Sequence, residues 1–168
     1  MDLEPDFRAF VTERSGALFR SAYLLTGDRH TAEDLVQTAL TKTAAKFRSL
    51  NDPSALEGYV RRVMYNEQVS SWRRRRQMTE VAFGHLPDQI AEGHADTADL
   101  RLVMRGALAR LTPKQRAMLV LRYFEDLSEA EIARVLGMRI GTVRSQIYRS
   151  LERLRKVAPE LSAVRELR

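Results

Sequence analysis

LSEAEIARVLGMRIGTVRSQIYRSLERLRK, residues 127–156, decides the fold. Ser128 followed by Glu131 is a capping-box start: the serine oxygen accepts a first-turn backbone N–H, and the glutamate reaches back to the serine N–H. Ile132, Val135 and Leu136 then fall on one side of a short helix. Gly137 ends it, because the position just past a helix often needs a positive φ. The pattern predicts a second helix from near Gly141 or Thr142 to about Lys156, with Val143, Ile147, Leu151 and Leu154 as its apolar stripe. At about 100° per residue, Ser145, Arg149, Glu152 and Lys156 point away from that stripe. Thr142 sits beside them, and Arg144 flanks the stripe on its other side.

A short capped helix, a tight turn and a second helix with a basic polar face form the pattern of a helix-turn-helix. Between residues 139 and 156, Arg139, Arg144, Arg149, Arg153, Arg155 and Lys156 stand against Glu152 alone, a balance of +5. Such a face attracts the phosphate backbone. Thr142, Ser145 and Gln146 are small enough to approach base edges or phosphates. The same pattern also fits an ordinary helical hairpin with a solvated basic face.

The whole chain has 168 residues, a net charge of +6 and a pI near 10.0, which favours a polyanionic partner. It contains no cysteine, which excludes disulfides, thiolate metal sites and cysteine nucleophiles. His30, His85 and His94 are scattered without ligand spacing, and no carboxylates cluster as a hydrolytic or RNA-modifying enzyme would need. No catalytic residue, metal ligand or cofactor site is therefore assigned. The acidic start lacks the pattern of a signal peptide, and no apolar run approaches a membrane span, so a cytoplasmic protein without membrane insertion is expected.

Strand signals are weak, and long helical periodicities predict an all-α chain. Residues 78–99 hold Glu80, Asp88, Glu92, Asp96 and Asp99 with no lysine or arginine, a balance of −5, together with Gly84, Pro87 and Gly93. They read as an acidic linker between two small helical domains, free to lie against the basic faces. The domains are expected at residues 1–77 and 100–158, each folding on its own apolar stripes, with 159–168 as a tail.

In the first domain, Phe7, Phe10, Val11, Leu18, Phe19, Ala22 and Leu25 predict a helix, bent near Gly16 and ending around Gly27. Thr31 is the expected cap of the next helix, with Asp34 at its capping-box position. Asp34, Gln37, Thr38, Thr41 and Ala45 form a polar but lightly charged face, open to either a protein contact or plain solvation. Asn51, Asp52 and Pro53 start a long helix. Its later part, residues 61–77, carries six arginines against Glu67, again +5, with Tyr59, Tyr65 and Trp72 interleaved. Guanidinium groups neutralise phosphate while ring faces stack on unpaired bases, as single-stranded nucleic acid requires. The alternative is that these rings serve as core. In the second domain, Thr112, Pro113 and Gln115 start a helix whose middle, Met118 to Leu121, is strongly apolar.

Taken together, these stretches resemble the bacterial extracytoplasmic-function (ECF) sigma factors, the small sigma-70-type subunits of RNA polymerase. AEDLVQTALTKTAAKF (32–47) is similar to region 2.2, the clamp-binding helix. GYVRRVMYNEQVSSWRRRR (58–76) is similar to regions 2.3 and 2.4, which open and read the −10 element. Residues 111–155 are similar to region 4, which reads the −35 element. The resemblance implies two domains, sigma region 2 and sigma region 4, and a linker like region 3.2. It implies core RNA polymerase as a partner, met by Asp34, Gln37, Thr38 and Thr41. It implies promoter DNA as the other partner. The −10 element would be met, single-stranded, by Asn51, Tyr59, Arg61, Arg62, Asn66, Trp72, Arg73 and Arg74. The duplex −35 element would be met by Arg139, Thr142, Arg144, Ser145 and Arg149. Flipping a −10 base requires a pocket to compensate for unstacking, and the loop 49–54 corresponds to it. The family is often held by an anti-sigma factor, which no residue here identifies. The other function open to the chain is a stand-alone helix-turn-helix regulator, which has no need of the Trp72–Arg76 basic cluster or the lightly charged 34–41 face.

Overall fold

Leu18, Ala22 and Leu25 recur at helical spacing, and with Phe7 and Ser21 they form the buried side of α1 (Pro5–Thr26). The computed structural model describes residues 5–50, 52–78 and 97–161. α1 is one continuous helix through Gly16. It stops at Gly27, whose φ of 74° is a left-handed conformation suited to glycine.

That left-handed residue turns the chain back early, so α2 (Arg29–Ala44) is capped by Asp28 rather than by Thr31. Thr31 donates to the cap instead: its backbone N–H lies 2.8 Å, and its hydroxyl 2.7 Å, from Asp28 Oδ2. Ala32, Leu35, Val36, Ala39 and Thr43 form the buried face. A 3₁₀ turn, Phe47–Ser49, leads to α3 (Pro53–Met78). Asp52 accepts the Ser54 N–H at 3.3 Å at its start. Leu56, Val60, Met64, Tyr65 and Gln68 are its buried positions.

The second half begins with α4 (Thr97–Ala109), which starts inside the span that the sequence assigns to the linker. Thr112 and Gln115 form the expected capping box of α5 (Pro113–Leu119), with proline in the first turn. The chain then widens into a π-helical turn, Val120–Phe124, where Glu125 N–H bonds Val120 O at 2.9 Å. Periodicity gave no sign of this turn. α6 (Glu129–Leu136) has the Ser128–Glu131 capping box and ends on Gly137 at φ 63°. α7 (Ile140–Val157) begins slightly earlier than expected, after Arg139. Val143, Ile147 and Ser150 are buried on it.

The two halves pack against each other. Leu18, Leu25, Met64 and Tyr65 from the first half and Leu108, Met118, Leu121 and Ile132 from the second belong to one buried apolar cluster. Polar groups cross the same boundary. The Arg116 guanidinium donates to Leu25 O at the end of α1, and also to Leu108 O at 2.8 Å and Leu111 O at 3.2 Å in its own half. Arg105 stacks 4.4 Å over the Tyr23 ring and donates to Gly27 O at 3.4 Å. The expected contact of the acidic stretch with the basic faces lies outside the described residues, as does the rest of the linker up to Thr97.

Candidate nucleic-acid interface

The helix-turn-helix presents α7 by burying its apolar stripe against α5 and α6. Val143 and Ile147 are sealed, while Leu151 and Leu154 are half-buried against the same core. On the opposite side Arg139, Thr142, Arg144, Ser145 and Arg149 are all exposed, so this face brings together every residue expected there. Arg144 is held by Glu129 of α6 at 3.0 Å, which fixes its reach across the helix pair. Ser145 donates to Thr142 O at 3.0 Å. Tyr148, 62 % exposed, lies among these residues and was not singled out from the sequence. Its spacing of four from Arg144 is the signal that could have found it.

α3 behaves differently along its length. Asn66, Arg73 and Arg74 are exposed. Tyr65 is fully buried and serves as core, so of the interleaved aromatics this one is not a base platform. Burial first, then the nearby Glu125 carboxylate, push its hydroxyl well above the usual tyrosine range. Arg61 is only 20 % exposed in its side chain and is bound by Glu57 at 2.8 Å and by Glu125 at 2.7 Å. Tyr59 and Arg62 line a cleft of about 620 Å³. Leu50 and Ser54 lie on its first-half side, and Leu127, Glu131, Arg134 and Val135 on its second-half side. Asn51, and the side chain of Trp72, lie outside the described residues.

On α2, Asp34, Gln37, Thr38 and Thr41 are all exposed, and Asp34 and Thr38 border a cleft shared with Glu67, Ser71 and Arg74 of α3. The Thr41 hydroxyl donates to Gln37 O at 2.8 Å, so part of this face is satisfied within the helix. A second exposed feature is not foreseen by the sequence. Val103, Met104, Tyr123 and Phe124 are exposed large hydrophobics. Met104, Tyr123 and Phe124 border an apolar groove of about 340 Å³ lined also by Leu24, Leu108, Leu119, Leu151 and Leu154. The π turn places Tyr123 and Phe124 outward, which helical periodicity does not anticipate. Among the described residues no group of three or more His, Cys, Asp or Glu side chains is placed to hold a metal, and no helix is long and apolar enough to cross a membrane.

Residues 10–78 match Sigma-70 region 2, and residues 101–154 match Sigma-70 region 4. The chain is 41 % identical to the RNA polymerase sigma-E factor of Streptomyces coelicolor over 94 % of this chain and 90 % of that protein. The chain belongs to the ECF group of the sigma-70 family. It is also 32 % identical to the ECF RNA polymerase sigma factor SigL of Mycobacterium tuberculosis, covering 94 % of this chain and 92 % of that one. Among solved structures it resembles the sigma factor RpoE of Bartonella quintana in complex with the anti-sigma factor NepR. The TM-score is 0.74 at 29 % identity, over 90 % of this chain and 96 % of the other. The fold is also that of CnrH, solved with the cytosolic domain of CnrY, at a TM-score of 0.61 and 20 % identity. This ECF sigma factor directs promoter-specific initiation with core RNA polymerase, and the stand-alone regulator is not favoured.

Proposed function

We propose that the work of this sigma factor divides among three faces. The outer face of α2, Asp34, Gln37, Thr38 and Thr41, seats on core polymerase. The α3 face and the preceding loop, with Asn51, Tyr59, Arg61, Arg62, Asn66, Trp72, Arg73 and Arg74, take the melted −10 strand. The α7 face, Arg139, Thr142, Arg144, Ser145 and Arg149, reads the duplex −35 element. The observation that carries the reading is the contrast between an exposed basic face on α7 and an exposed, lightly charged face on α2. The first suits phosphate and base edges, and the second suits a protein. The protein catalyses no reaction of its own and works in the cytoplasm. The working division is residues 1–77, an acidic linker at 78–99, 100–158, and a tail at 159–168.

An anti-sigma factor is proposed as a further partner. Its support is the apolar groove bordered by Met104, Tyr123 and Phe124, a patch of the kind that marks a protein contact. The sigma factor RpoE of Bartonella quintana, similar over 90 % of this chain, was solved with such a partner.

The test is transcription from a cognate promoter by core polymerase supplemented with the purified chain. Asp34→Arg with Thr41→Arg should abolish polymerase binding with helical content unchanged, and retained affinity would remove the α2 assignment. Arg149→Ala should weaken duplex −35 binding by about 1–3 kcal/mol. Asn66→Ala should spare that binding but impair melting read by permanganate. Loss of duplex affinity in both variants with normal melting would undo the division of labour.

A further inference from the structure

We infer that the apolar groove between α4 and α7 is covered in the free chain by the chain's own residues 162–168. α7 stops at Val157, and the buried Ala158, at φ −138° and ψ 63°, turns the chain out of it. Pro159 suits the first turn of a new helix, and Glu160 and Leu161 are helical again. Arg110, just past the end of α4, fixes where this restart begins. Its guanidinium donates to Val157 O and lies 3.2 Å from Glu160 Oε1. Both partners of the ion pair are half exposed, so it directs the chain more than it stabilises the fold. The restart stands at one end of the groove. Ala158 N–H bonds the O of Leu154, one turn back on α7, at 2.9 Å. Leu108 of α4 precedes Arg110 by less than a turn. Both leucines line the groove. Met104 and Leu151 line it about one turn further back on the same two helices, with Tyr123 and Phe124 beside them.

The sequence of the tail fits that floor. Leu161, Val164 and Leu167 recur at every third residue, while Ser162 and Glu166 fall on the opposite side of a helix. A helix rises roughly 9 Å between Leu161 and Leu167, and the floor from Leu108 to Met104 or from Leu154 to Leu151 measures roughly 5–6 Å. A tail helix running back over α4 and α7 therefore brings Val164 to Met104 and Leu167 to the edge formed by Tyr123 and Phe124. These are exposed large hydrophobics that no described residue covers, and the tail removes them from water. A protein that seats in the groove must first displace the tail. Its apparent affinity is then set by the fraction of chains whose tail is undocked. The docking itself needs no partner, so it stands or falls apart from the anti-sigma reading.

The chain has no cysteine, so an engineered pair reacts cleanly. In the full chain, Met104→Cys with Val164→Cys should be bridged within one molecule by a short bis-maleimide. Met104→Cys with Ser162→Cys, on the far side of the tail, should be bridged far more slowly. Val164→Asp with Leu167→Asp sets carboxylates against an apolar floor and should release the tail. The probe of the open groove is the dye ANS. Because apparent affinity scales with the open fraction, the double aspartate variant should bind it about tenfold tighter than the parent chain. Ser162→Asp should leave the affinity where it was. Equal bridging of the two cysteine pairs would overturn the docked tail. So would equal dye affinity in the parent and the double variant, the result expected of a groove that stands open for a protein partner. Bridged dimers in place of bridged monomers would assign the groove to a second copy of the chain and overturn it as well. Where the aspartates lower the melting temperature, Val164→Ser with Leu167→Ser decides the same point.

Discussion

Asp28 accepts two hydrogen bonds from Thr31, and these hold its carboxyl below the ordinary aspartate range. Glu131 is lowered by the Ser128 backbone N–H and then its hydroxyl, and Asp52 by the Ser54 hydroxyl and then its N–H. A carboxyl whose folded pKa lies below its unfolded value adds stability that is fully present above the unfolded value, near pH 4, and is lost as pH falls through the folded one. The urea midpoint should accordingly fall between about pH 5 and pH 3. Asparagine is an equally good cap but does not titrate there, so Asp28→Asn should flatten part of that fall. Identical slopes in the two proteins would assign the acid sensitivity elsewhere. All three groups are exposed, so the effect should shrink in salt. At this scale the sequence was readable where a residue type admits one role. Ser128 with Glu131 and Thr112 with Gln115 capped as their spacing says. Asp28 and Thr31 are both competent caps three residues apart, and only the left-handed turn at Gly27 decides between them.

Whole elements were legible to the degree that their signals are local. Each helix could be read from its stripe, and the end of α6 from Gly137. That glycine sits at φ 63°, which L side chains other than asparagine rarely adopt. Gly137→Ala should lower stability by about 1 kcal/mol or more, and Gly137→Asn by less. Equal urea midpoints for the two would show that crowding against Arg62, not the backbone, sets the penalty. The π turn was not legible. A run such as Met118–Phe124 is apolar at nearly every position, so it fits a ladder of four or of five residues equally well. The wider turn ends at Glu125 N–H on Val120 O, and the residue it delivers there is the one that meets Arg61 and Ser21. Tyr65 illustrates the same limit on α3. An aromatic among arginines suits a base or a core, and its burial beside Glu125 depends on helices far away in the chain.

At the scale of the molecule, amphipathic stripes say that each helix buries a face but not against which neighbour. The sequence assigned each half its own core, whereas Leu25, Met64 and Tyr65 join Met118, Leu121 and Ile132 in one cluster. Separating the halves would bare part of that cluster on both. Fragments of residues 1–77 and 100–158 are also near the small end of autonomous domains, where burial only just offsets chain entropy. Each fragment should therefore be helical by circular dichroism yet melt below the full chain. Mixing them should raise the melting temperature of both. The charged part of the association, Arg61 with Glu125, is only partly exposed and should be less sensitive to salt than a surface pair. The apolar part should persist throughout. Adding Glu125→Arg to the second fragment should cut the gain on mixing without changing the melting of that fragment alone. Fragments that melt as high as the full chain and ignore each other would show that the shared cluster adds nothing to stability, and would return the chain to two independent domains.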